Sequence, residues 1–164
     1  MGWTKPSKRN MFRTRIFAVF AIVLCSLAFA VAASAQRNID PAIDRDPVLE
    51  ADAKHNLDVA WQAFKPLKKA YKQVIMRFEE TFAAYPQFSK MDEFLYLAGM
   101  SSVYLSKNEG KQKVNLKIEK EKEKYAPEKL KEDAVAYFSM LIEKFPESKY
   151  REEVEKTLKE LKAG

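Results

Sequence analysis

An aromatic residue followed by proline closes an apolar helical stripe twice in this chain, at Tyr85-Pro86 and again at Phe145-Pro146, 60 residues apart. Proline lacks a backbone donor and pushes its predecessor toward extended geometry, so each pair is a helix stop. The same shift lays Phe138 on Phe78, Ala134 opposite Val74 and Glu152-Glu153 on Asp92-Glu93. A unit that recurs this way buries its apolar face against its own copy, so the expected fold is a short stack of helix pairs.

Apolar spacing fills in the helices. Asp46-Pro47 offers an N-cap followed by proline at the first helical position, and Leu49, Ala53, Leu57, Ala60, Trp61 and Phe64 then share one face. Pro66 stops or kinks that helix. A second stripe is Leu67, Ala70, Tyr71, Val74, Phe78 and Phe82, ending at Pro86. Ser89 with Asp92 resembles a capping box before Phe94, Leu97, Ala98, Ser101 and Leu105, where small residues permit close helix approach. Pro127 opens a helix carrying Leu130, Ala134, Tyr137, Phe138, Leu141 and Ile142 up to Pro146. Ser148 can cap a last helix, whose narrow stripe of Tyr150, Val154, Leu158 and Leu161 suits a capping position. The expectation is an all-α domain over residues 47–164, with about five helices forming two degenerate pairs and a cap.

The net charge of +6 raises the question of nucleic acid, and its location answers it. Lys5, Lys8, Arg9, Arg13 and Arg15 precede the first acidic residue, Asp40, leaving 24 basic against 23 acidic side chains in residues 36–164. A nearly neutral body lacks the lysine and arginine surplus that counterion release requires, so no nucleic-acid partner is expected. The basic start, the apolar run Ile16 to Ala33 and the small-x-small motif Ala33-Ser34-Ala35 before Gln36 form a signal peptide over residues 1–35, with cleavage ahead of Gln36. An uncleaved inner-membrane anchor is the alternative. Either way the body is exported from the cytoplasm, and its working compartment is the periplasm or its equivalent. Residues 36–46 read as a flexible lead-in. The single cysteine, Cys25, follows Ile22-Val23-Leu24 and so lacks the small residue that a lipidation signal places there.

Little in the body points to catalysis. His55 neighbours Asp52 and Asp58, but with no second histidine and no cysteine in the body the cluster is better read as ordinary helix charge, and neither metal nor cofactor is expected. No serine lies in a Gly-x-Ser-x-Gly elbow, and glycines are too few for phosphate-cradling loops, so no enzyme and no small-molecule substrate are expected. Between Lys107 and Asp133 nine lysines face seven carboxylates, which gives a charged insertion at about residues 107–127. It reads first as a solvated loop with a helical extension; as the alternative, Val114, Leu116 and Ile118 alternate like a short strand able to join a partner's sheet edge. Phe88 and Tyr96 are candidate partner-binding aromatics, whereas Tyr71 reads as core.

The stretch Ala134-x3-Phe138 with Pro146 resembles the second helix of a tetratricopeptide repeat, Val74-x3-Phe78 with Pro86 is a weaker copy, and Leu97-Ala98 is similar to the Leu-Gly pair of a first helix. Ser101 stands where that pattern has tyrosine. The phrases Tyr85-Pro86-Gln87-Phe88 and Leu141-Ile142-Glu143-Lys144-Phe145-Pro146-Glu147-Ser148-Lys149-Tyr150 resemble the BamD-type envelope lipoproteins. That resemblance implies a non-catalytic scaffold in outer-membrane β-barrel assembly, with other envelope proteins as partners and a peripheral association with the outer membrane. A periplasmic repeat protein coordinating cell-wall or secretion machinery is the second reading, and an envelope hydrolase is the rival from another class.

Overall fold

Asp46 opens the first helix as its sequence predicts: its carboxylate accepts the backbone N–H of Val48 at 2.8 Å and of Leu49 at 3.3 Å, and Pro47 follows at the first helical position. The computed structural model describes residues 45–163, which form α1 (Pro47–Phe64), α2 (Tyr71–Ala84), α3 (Met91–Ser106), α4 (Glu119–Tyr125), α5 (Pro127–Lys144) and α6 (Arg151–Ala163). The described residues contain no strand. The helices expected from periodicity are all present, and the short α4 is added within the charged insertion. The signal peptide, with Ala33, Ala35 and Gln36, and most of the lead-in lie outside the described residues.

The 60-residue repeat is a repeat of backbone hydrogen bonds. Phe88 N donates to Tyr85 O, Met91 N to Phe88 O and Phe94 N to Lys90 O; 60 residues later Ser148 N donates to Phe145 O, Arg151 N to Ser148 O and Val154 N to Tyr150 O. Tyr85 (φ −148°, ψ 74°) and Phe145 (φ −130°, ψ 63°) both leave the helical region immediately before proline. Each donates one last bond to its own helix, Tyr85 N to Thr81 O and Phe145 N to Leu141 O. Pro86 and Pro146 therefore act through the backbone while remaining exposed.

Helices α1 and α2 form the first pair and α3 and α5 the second, with α6 laid on α5. The repeat-packing residues Val74, Phe78, Leu97, Ala98, Ala134 and Phe138 are all buried in one core. Burying an apolar side chain of this size stabilises the fold by roughly 1.5–3 kcal/mol, so Phe78, Phe94 and Phe138 are major contributors. A second cluster of Tyr71, Ile75, Leu105, Tyr125 and Leu130 sits where α2, α3, α4 and α5 meet.

Several expectations are corrected. Pro66 starts a true loop: α2 begins only at Tyr71, and Leu67, assigned to its apolar face, is 82% exposed. The Ser89–Asp92 capping box does not form. Lys90 is the N-cap of α3 and gives no side-chain bond, while Ser89 N donates to the Glu50 carboxylate on α1. Helix α3 also meets α5 tightly at Gly99, one residue beyond the Leu97-Ala98 pair. A Cβ on Gly99 would collide with the buried Phe138 ring.

Candidate docking surface

Along α1, α3 and α6, the first helices of successive units, an aromatic donor twice meets a carboxylate at the start of the next unit's first helix. The Trp61 indole N–H on α1 donates to the Glu93 carboxylate at the start of α3, and the Tyr96 hydroxyl on α3 donates at 3.1 Å to Glu153 at the start of α6. Glu93 and Glu153 are 60-residue counterparts. Burial, reinforced by the Glu153 carboxylate, raises the Tyr96 phenol far above its ordinary pKa, so it stays a neutral donor. Beside these joints the Tyr96 and Tyr150 rings stack at 4.3 Å, and Phe64, Tyr71 and Tyr104 form a second aromatic group. The result is a face of half-buried aromatics, among them Trp61, Phe64, Tyr104 and Tyr150, set with carboxylates. Such a face can hold a peptide or helix that offers aliphatic and basic groups.

The aromatic residues proposed from sequence are placed differently. Phe88 is 3% exposed and Tyr96 8%, so both belong to the core. Phe88 packs beneath the turn that enters α3. Tyr96 lies on a helix enclosed along nearly its whole first three turns, from Phe94 to Val103. The missed residues are Trp61, Glu93, Tyr150 and Glu153, and their signal was available: Asp92-Glu93 and Glu152-Glu153 superpose under the same shift that reveals the repeat.

The charged insertion is docked rather than free. Lys72 Nζ on α2 donates to Lys113 O at 2.7 Å and to Glu121 at 2.8 Å, Gln73 N donates to the Gln112 side chain, and Lys124 pairs with Glu79. Gly110 (φ 94°) lies against Lys69 O and the Tyr71 ring, where no side chain fits. Tyr125 is buried in the second cluster and Val114 packs beside it. Val114, Leu116 and Ile118 do not form a strand. Their stretch is extended and turn backbone in which Ile118 N donates to Asn115 O, and Ile118 then caps α4, leaving Leu116 and Ile118 half-exposed.

His55, Asp52 and Asp58 are exposed on α1, and Asp58 pairs with Lys54 at 2.9 Å. Burial, with Asp133 and Glu79 nearby, pushes the Tyr137 phenol up to about 12, and its ring meets Phe78 edge-on at 4.8 Å. Such a group belongs to the α2–α5 packing. No helix among the described residues is long and apolar enough to cross a membrane.

A family model described as YfiO, outer membrane lipoprotein, matches residues 18–164. It covers every described residue, and it agrees with the BamD-type resemblance seen in the sequence. No curated protein and no solved structure gives a match.

Proposed function

The chain belongs to the YfiO family of outer membrane lipoproteins, and on that premise we propose that it is a non-catalytic scaffold at the periplasmic face of the outer membrane, where it binds proteins that assemble β-barrels. The observation that carries this reading is the family match over residues 18–164, which spans the whole helix stack. The α1–α3–α6 face supports it. Its aromatics are fixed by hydrogen bonds and stacking before any partner arrives, which lowers the entropic cost of docking. A repeat scaffold acts through what it positions, so binding is the whole activity.

The test is site-specific photocrosslinking in cells. A crosslinking residue at Tyr104, on the aromatic face, is expected to capture the barrel-forming assembly protein or its accessories, while one at His55, on the opposite side of α1 from Phe64, is expected to capture neither. Depleting the chain is expected to lower outer-membrane barrel levels. Crosslinks to cell-wall enzymes with normal barrel levels would replace this reading with the coordinator one. Hydrolytic turnover by the purified chain would end the non-catalytic part.

A further inference from the structure

The near-neutral body conceals a segregation of charge along the helix axes. The helices alternate in direction, so the α1–α2 loop, the insertion and the end of α6 gather at one end. Lys111 N donates to Lys69 O at 3.1 Å and Lys111 Nζ to Leu67 O at 2.7 Å, tying the first two together, and a hollow lined by Val103, Lys107, Lys131, Thr157, Glu160 and Leu161 joins the third. Residues 65–72 hold four lysines and no carboxylate; residues 107–124 hold seven lysines against four, and residues 156–163 three against one. The opposite end has the reverse balance. Residues 45–52, 80–93 and 143–155 together carry five basic and eleven acidic side chains.

The lysine-rich end also displays aliphatic side chains. Leu67 is 82% exposed, Leu116 50% and Ile118 49%, each with a lysine next to it in sequence. Lys65, Lys68, Lys117 and Lys120 are exposed and form no ion pair among the described residues. These side chains stand on the surface rather than around a groove sized for a ligand: the hollow lined by Leu116 holds about 100 Å³ and the one lined by Lys107 about 230 Å³. A lipid surface needs no groove: aliphatic side chains enter the headgroup boundary and lysines reach up to phosphates.

We propose that this end of the helix stack, carrying Leu67, Leu116 and Ile118 among lysines, rests on an anionic phospholipid surface and leaves the acidic end turned away from it. The proposal stands apart from the identity of the protein partner, because it rests on charge and exposure at the loops and not on the α1–α3–α6 joints.

The experiment uses the full chain with Cys25→Ser, so residues 16–33 contribute equally in every sample. A fluorophore is attached through Leu116→Cys or, at the acidic end, through Ala83→Cys. Vesicles with brominated acyl chains are made either of phosphatidylcholine alone or of phosphatidylcholine with one quarter phosphatidylglycerol. Quenching at 116 and not at 83, only with the anionic vesicles, is the expected result. The Lys65→Glu, Lys68→Glu, Lys117→Glu, Lys120→Glu variant, checked by circular dichroism for an unchanged fold, is expected to weaken that response by several hundredfold or more, since each lysine at an anionic surface contributes roughly a fivefold factor. Equal quenching at both positions, indifference to lipid charge, or indifference to the four substitutions would overturn the proposal. A response at 116 to polyglutamate without quenching by lipid would overturn it in favour of an acidic protein segment. Leu67→Ser with Ile118→Ser leaves the charges intact and is expected to reduce quenching while vesicle recruitment falls less.

Discussion

The two ends of the helix stack solve the same problem of reversing the chain, and they do so differently. At the acidic end the turns at residues 85–91 and 145–151 share their hydrogen bonds, their pre-proline geometry and their length. At the lysine end the first pair closes through the short loop between Phe64 and Tyr71, while the second closes through an insertion that contains a helix of its own. The acidic end is where one unit meets the next. Ser148 Oγ donates to Asp92 at 2.6 Å and Ser89 N to Glu50, so each turn is locked to the start of the preceding unit's first helix. The connection within the second pair has no such neighbour to fit, and it can grow provided that it finds its own contacts. An insertion at that end therefore leaves the repeat intact.

The sharpest way to break the repeated part is to charge its centre. Ala134 is fully buried at the α3–α5 contact, and Ala134→Arg would place a cation there without a partner, which costs on the order of 3 kcal/mol or more. Thermal unfolding of the substituted chain is expected to shift down by many degrees or to lose cooperativity. An unchanged melting temperature would refute the packing of these two helices.

That core was legible because it is periodic. Val74, Phe78, Ala134 and Phe138 fall on helical spacings and recur after 60 residues, so the sequence alone marks them as packing positions, and all four are buried in one core. Phe88 and Tyr96 were misplaced because α3 has neighbours on almost every side. The run Phe94 to Val103 is apolar or small all round, the mark of an enclosed helix with no free face to bind with. The insertion was illegible for a different reason. Its bonds to Lys72 reach across 41 and 49 residues, and its charges match only after folding brings α2 alongside. One sequence carries no period or spacing that announces such pairs.

A smaller effect tests the α3–α5 contact at the position the sequence did not reveal. An ordinary helical glycine is stabilised by alanine substitution by about 1 kcal/mol. At Gly99 the new methyl group would enter the space of a Phe138 ring that is itself fully buried, and overpacking of this kind costs about 1–3 kcal/mol. Gly99→Ala is therefore expected to destabilise by about 1 kcal/mol net, measured by urea unfolding. A stabilised protein would mean that α3 and α5 separate more easily than their packing implies.

The smallest effect separates the two kinds of connection by pH. The Lys72 ammonium, aided by the Asn115 N–H, which donates at 2.7 Å, holds the Glu121 carboxyl below the usual carboxylate range. A carboxyl whose pKa is lowered by folding contributes its stabilisation above the unfolded pKa and loses it as the pH falls through the folded value. Acid should therefore loosen the insertion from α2, whereas the α3–α5 contact is made by Gly99, Ala134 and Phe138, which do not titrate. Hydrogen exchange, expressed as protection factors so that the intrinsic pH dependence of exchange cancels, is expected to show residues 113–124 losing protection between pH 7 and pH 3 while residues 94–101 keep theirs. Glu121→Gln removes the titrating charge but leaves an acceptor, and it should lower the protection of the insertion at pH 7 and flatten its dependence on pH. If both segments lost protection together, the insertion would be part of the same cooperative unit as the repeat. If neither responded, the apolar seat of Tyr125 and Val114 against Tyr71 would hold the insertion without help from the Lys72–Glu121 pair.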